Sequence, residues 1–153
     1  MGSTSLWQAD LKETGTLLTT NPLQGTVDTE VAIIGAGITG TATALWLARS
    51  GVQVRVLEAR DIAAGASGRN GGFIAYGTTA LYSKTTQRYG REQAKRFWAF
   101  TARNHEYLKG FIDEIEQSGW SCYYRRNGSM KLALNELELE QVIESASLFN
   151  EDG

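Results

Sequence analysis

The chain has 153 residues, 42% of them hydrophobic and 21% charged, as in an ordinary globular domain or parts of two. A formal net charge of −2 gives no electrostatic case for nucleic acid or an anionic membrane surface. A single cysteine, Cys122, rules out an intrachain disulfide and a thiolate metal site, so no metal is expected.

Residues 1–28 are polar and rich in Thr, Gly and Ser, and read as an irregular N-terminal arm with Leu6 and Trp7 as docking points. No basic start precedes an apolar run, so no signal peptide is expected. No apolar run approaches the length that spans a bilayer. These features fit a cytoplasmic setting.

Regular structure begins at Val31-Ala32-Ile33-Ile34, which stops at Gly35 as a buried parallel strand would. A helix pattern follows from Ile38 to Ser50, carried by Ala42, Leu45, Trp46 and Ala48, with Gly51 where a left-handed C-terminal residue belongs. Val52 to Leu57 is a β-branched run and reads as a second strand. Strand, helix and strand within residues 31–57 make a βαβ unit with parallel strands and a right-handed crossover.

Nine of the 17 glycines lie between Gly35 and Gly77, and residues 63–77 read as a glycine-rich loop. From Arg91 to Ser118 the pattern is helical, with Ala94, Phe97, Trp98, Thr101, His105, Leu108, Ile112 and Ile115 on one stripe. Such a helix runs about 40 Å and needs a large partner surface. Phe97, Trp98 and Phe100 read as core, and His105 as a packed histidine. Cys122–Arg125 and Met130–Leu134 flank Asn127-Gly128, the strongest short hairpin signal. Cys122 then reads as a small hydrophobe in a strand, and Tyr123 to Arg126 as hairpin surface. Asn135 followed by Glu138 predicts a helix N-cap with its capping-box partner, opening a last helix through Val142, Ile143, Ala146 and Phe149.

The chemistry concentrates at Gly35-Ala36-Gly37-Ile38-Thr39-Gly40, a GxGxxG between a predicted strand and a predicted helix. Gly35 allows a sharp turn, Gly37 lets a pyrophosphate meet the backbone, and Gly40 lets the helix pack close to the sheet. The helix N-terminus offers unpaired N–H groups and a positive dipole end to phosphates. Glu58 ends the second strand 18 residues after Gly40, where a carboxylate accepts from a ribose diol and repels a 2′-phosphate. These features admit both FAD and NAD. The segment Gly65-Ala66-Ser67-Gly68-Arg69-Asn70-Gly71-Gly72 favours FAD, since an NAD-binding half ordinarily continues to its next strand without such a loop.

The run from Val31 to Gly72, with Glu58-Ala59-Arg60 and the Ser-Gly-Arg-Asn-Gly-Gly wording, resembles the start of the D-amino-acid-oxidase-like family of FAD-dependent oxidoreductases. The branch it is most similar to is the gamma-glutamylputrescine-oxidoreductase-like one. Ser5-Leu6-Trp7-Gln8-Ala9 and Tyr124-Arg125-Arg126-Asn127-Gly128-Ser129 resemble that branch as well. The resemblance implies an α/β fold: a Rossmann-like FAD-binding βαβ unit in residues 29–80, followed in residues 81–153 by the incomplete start of an α+β substrate domain. It also implies that Gly35, Gly37, Ile38, Thr39 and Gly40 hold the pyrophosphate. Glu58, Ala59 and Arg60 would face the adenosine, and Ala66, Ser67, Asn70, Gly71 and Gly72 would follow the ribityl chain.

Members of that family are several hundred residues long, so the chain is expected to be an N-terminal part, inactive alone, with catalytic residues beyond Gly153. The implied activity is oxidation of an amine or amino-acid C–N bond, with a small-molecule amine or amino acid as substrate. The competing readings are an NAD-dependent dehydrogenase half and a non-catalytic dinucleotide-binding module.

Overall fold

A computed structural model describes residues 4–15 and 20–153. The chain divides into two compact units, Met1–Phe73 and Ile74–Gly153.

The first unit opens with helix α1, Leu6–Glu13, where an irregular arm is expected from composition. Ser5 explains its start: the hydroxyl accepts from the Gln8 N–H at 3.2 Å, satisfying one orphan donor of the first turn. The parallel strands β1, Val31–Ile34, and β2, Val54–Leu57, pair with Val31 opposite Val54 and Ile34 opposite Leu57. Helix α2, Ile38–Arg49, makes the crossover between them and packs on both. Its end is a Schellman motif: Val52 N–H bonds to Leu47 C=O and Gly51 N–H to Ala48 C=O, both at 3.0 Å, with Gly51 at φ +81°. Thr29 and Glu30 then bond to the backbone of Gln53, pinning the entry to β1 against the entry to β2.

The expectation of a buried strand is corrected. Along β1 half-buried and exposed residues alternate, and Ile34 is 81% exposed. A fully apolar strand suits a sheet covered on both faces, whereas within the first unit α2 is the helix that packs on these two strands. The mixed α/β character with a small parallel sheet stands.

The second unit is helical. Helix α3, Tyr82–Tyr89, is followed after Gly90 (φ +84°) by α4, Arg91–Gln117, and later by α5, Glu136–Asp152. Helix α3 packs against both of the others. The Tyr82 ring meets Trp98 and Phe149 edge-on at centroid distances of 4.8 and 5.3 Å. Ala94 and Ile112 are buried on the predicted α4 stripe, and His105 is packed, with Nε2 3.1 Å from the Ile74 carbonyl and its ring stacked on Tyr76. Phe100 is 73% exposed and is not core. Asn135 caps α5 as its spacing predicts, accepting from Glu138 N–H at 2.9 Å. The Glu138 carboxylate reaches back one residue further, to Leu134 N–H.

Residues 120–133 carry no strand, so the expected hairpin is absent and Cys122 is an exposed free thiol. Two isolated strands are marginal in water without a third strand or a helix to bury one face. Met130, Leu132 and Leu134 have the right alternation but stand 74–87% exposed.

Candidate functional site

The site grows from the turn between β1 and α2. Gly35 N–H bonds to Leu57 C=O at 2.7 Å, extending the parallel ladder by one step. Gly35 then adopts φ +98°, which reverses the chain within one residue. Gly37 is the N-cap of α2 and has no side chain to cap it. At Gly40 a Cβ would lie 2.0 Å from the Gly35 carbonyl oxygen, so the first turn of α2 sits directly on the backbone of the loop.

The donors of this turn divide into two sets. Ala36 N–H is taken by Glu58 Oε2 at 2.8 Å, and Ile38 N–H by Ser67 Oγ at 2.9 Å. The N–H groups of Gly37, Thr39 and Gly40 find no acceptor among the described residues. Three unpaired donors at the positive end of a 12-residue helix form a place that could hold a polyanion by backbone alone.

Glu58 follows β2 directly. Its Oε1 accepts from Arg60 N–H at 3.0 Å while Oε2 holds Ala36. These backbone bonds, that from Ala36 first, hold its carboxyl below the usual carboxylate range. Each oxygen still has a lone pair for a further donor. Ala59 and Arg60 are exposed beside it.

The glycine-rich segment is not a slack connector. Ala63, at φ +58°, donates its N–H to the Ala36 carbonyl, and a short 3-10 turn spans Ala66–Gly68. A Cβ on Gly68 would meet the Ala63 carbonyl oxygen at 2.3 Å, and one on Gly37 would meet Ser67 Oγ at 3.0 Å. The loop therefore folds back over the glycine turn and brings Ser67 to the start of α2. Asn70 ties the far side: its Nδ2 donates to Ser67 C=O at 2.7 Å and its Oδ1 accepts from Gly72 N–H at 2.8 Å. Of the residues singled out in sequence, Gly35, Gly37, Ile38, Gly40, Glu58 and Ser67 are thus linked by contact. Asn70, Gly71 and Gly72 lie one step further along the loop, beside α1. Among the described residues no cluster of His, Cys, Asp and Glu could hold a metal ion.

Residues 30–152 match the family model described as FAD dependent oxidoreductase. The chain belongs to the FAD-dependent oxidoreductase family. The flavoprotein assignment agrees with the resemblance read from the Gly35 turn and the Gly65–Gly72 loop. A probable oxidoreductase OrdL of Rhizobium meliloti is 39% identical over 92 residues, 60% of this chain and 22% of the relative. A second OrdL, from Haemophilus influenzae, is 34% identical over 124 residues, 80% of this chain and 28% of the relative. The gamma-glutamylputrescine oxidoreductase of Escherichia coli is 32% identical over 117 residues, 76% of this chain and 26% of the relative. The chain spans about a quarter of the length of these curated relatives. No solved structure matches it significantly.

The residues present fit the family's cofactor chemically. A dinucleotide needs a donor set for its pyrophosphate, an acceptor for its ribose hydroxyls and a backbone bare enough to approach, and the Gly35–Gly40 turn with Glu58 offers all three. Among the described residues no helix is long and apolar enough to cross a membrane.

Proposed function

We propose that this chain forms the N-terminal, dinucleotide-gripping part of an oxidoreductase that oxidises an amine or amino-acid C–N bond with FAD. In this reading residues 29–80 are the first part of an FAD-binding domain of Rossmann type and residues 81–153 begin the substrate domain. The observation that carries it is the trio of open N–H groups at Gly37, Thr39 and Gly40, with the Glu58 carboxylate at the neighbouring strand end.

The N-terminus of α2 binds the pyrophosphate through those donors, and Gly35 and Gly37 keep the approach free of side chains. Ile38 N–H stays on the Ser67 hydroxyl and fixes the loop over the turn. Glu58 accepts from the adenosine ribose while Ala59 and Arg60 flank it. Ala66, Ser67, Asn70, Gly71 and Gly72 line the path toward the isoalloxazine ring. Bound flavin supplies the hydride acceptor, and the protein's part is to bind, orient and exclude water. The amine substrate class is supported by the likeness to a gamma-glutamylputrescine oxidoreductase.

The test is spectroscopic. Protein expressed from its complete reading frame should carry flavin absorbance that a panel of amines or amino acids bleaches under anaerobic conditions. Competition against the bound cofactor should be strong with FAD and weak with NAD. A protein that stays colourless after reconstitution with FAD sinks the reading, and bleaching by hydroxy acids alone sinks the amine assignment.

A further inference from the structure

Helix α1 lies against the glycine loop through specific contacts. Trp7 Nε1 donates to the Asn70 carbonyl at 2.8 Å. The indole also occupies the space over Gly72, where a Cβ would come within 2.7 Å of Cζ2. The Gln8 side chain lies beside Gly68, and Ser5, Leu6 and Trp7 line one cleft with Arg69, Asn70 and Gly71.

The geometry points to Trp7 as a positioning residue for the cofactor loop, and so for FAD affinity; the inference rests on the dinucleotide reading above. A path of three bonds runs from α1 to the N-terminus of α2. Trp7 holds the Asn70 carbonyl, Asn70 Nδ2 holds the Ser67 carbonyl, and Ser67 Oγ holds Ile38 N–H. Gly71 and Gly72 are exposed, and glycine loses more freedom on ordering than any other residue. A loop ordered in advance by Trp7 makes FAD binding less costly than a loop ordered by the ligand. Trp7 acts only through the loop, by its bond to the Asn70 carbonyl and its ring over Gly72.

The experiment uses the protein expressed from its complete reading frame, as wild type, Trp7→Phe and Trp7→Ala. Phenylalanine keeps a ring over Gly72 and removes the donor; alanine removes both. Limited trypsin digestion without FAD reads the loop at the Arg69–Asn70 bond, with cleavage after Arg60, whose N–H is held by Glu58, as internal control. We expect Arg69 cleavage to rise in the order wild type, Trp7→Phe, Trp7→Ala, with Arg60 cleavage unchanged. FAD dissociation constants should weaken about two- to tenfold in Trp7→Phe, the range for one lost hydrogen bond, and further in Trp7→Ala. Turnover at saturating FAD should be retained. Unchanged Arg69 cleavage in Trp7→Ala overturns the clamp, and raised cleavage with unaltered FAD affinity overturns the positioning role. If wild type itself binds no FAD, the dinucleotide reading fails and takes the positioning role with it. The digestion still separates that failure from failure of the clamp.

Discussion

The Glu58 carboxylate accepts the Ala36 N–H at 2.8 Å, so the end of β2 is tied to the turn that follows β1. The two strand ends that flank the proposed dinucleotide site are thereby held together by one side chain rather than by the ladder alone. Glu58→Gln keeps the shape but has a single acceptor oxygen for two N–H donors. It also removes the charge that favours a ribose diol. We expect FAD affinity to fall about tenfold, on the scale of a charge-assisted hydrogen bond. The carboxyl is held low in the folded protein by the Ala36 bond first and the Arg60 bond second. Its contribution is therefore present above the unfolded value of about 4.3 and is lost as the pH falls through the lower folded value. Melting temperature of the first unit followed from pH 7 into the acid range should show that loss in wild type, and a smaller one in Glu58→Gln.

Gly40 and Gly37 answer to different constraints, and alanine at each separates them. At Gly40 the new Cβ meets backbone, the Gly35 carbonyl oxygen at 2.0 Å, which can retreat only by moving the turn. Gly40→Ala should destabilise the first unit by about 1–3 kcal/mol, the usual cost of overpacking. Thermal melting followed by circular dichroism reads this. At Gly37 the new Cβ meets Ser67 Oγ at 3.0 Å, a rotatable hydroxyl. Gly37→Ala should melt near wild type yet bind FAD more weakly, because in the proposed site the methyl group would stand where the pyrophosphate approaches. Equal melting losses in the two variants would refute the distinction.

What was legible in the sequence follows the range of the interactions. The turn at Gly35–Gly40, the stop at Gly51 and the cap at Asn135 are local devices, and each is found at its predicted residue. Helix α1 escaped because its composition is polar. Its signal was the short one of Ser5 three residues before Gln8, and much of its stabilisation comes from Trp7 reaching residues more than 60 positions away. The Asn127-Gly128 hairpin failed for the opposite reason. Its local pattern is strong, but Met130, Leu132 and Leu134 find nothing to bury against, and local propensity cannot hold two strands by itself. Within the site, the glycines and Glu58 were readable from spacing, whereas the seat of Ser67 on Ile38 N–H depends on a loop fold that no periodicity encodes.

Tyr82 couples the helical unit to alkaline pH. It is 4% exposed, and its hydroxyl donates to Asp152 Oδ2 at 2.6 Å while Arg91 bonds to the other oxygen. Burial first, then the bond to Asp152, pushes the phenol up to about 12. A group raised in the folded state stabilises fully below its unfolded value of about 10, and that stability is lost as the pH rises toward 12. Asp152 runs the other way: the Tyr82 bond, then Arg91, lowers it, so its contribution is lost as the pH falls through the acid range. Tyr82→Phe should lower the melting temperature of the unit at pH 7 by about 4–8 °C, the shift for one ordinary hydrogen bond at this size. It should also flatten the decline between pH 10 and 12. Tyrosinate absorbance and melting temperature recorded together check both.

The exposed alternation Met130, Leu132 and Leu134 lies outside the packing of α3, α4 and α5, and this decides how the isolated 153-residue chain behaves. On the long stripe of α4 Ala94 is fully covered and Ile112 is 9% exposed, while Ile115 at its end is 42% exposed. The three side chains at 130, 132 and 134 instead form a period-2 apolar row on a backbone with no strand partner, which is the form that recruits other chains. Replacing all three with serine should reduce self-association of the isolated chain, measured by light scattering after size exclusion. The melting temperature of the helical unit should change little, since all three stand 74–87% exposed. If association persists at the same concentration in the triple variant, the sticky surface lies elsewhere, and the bare sheet face at Ile34 is the next to substitute.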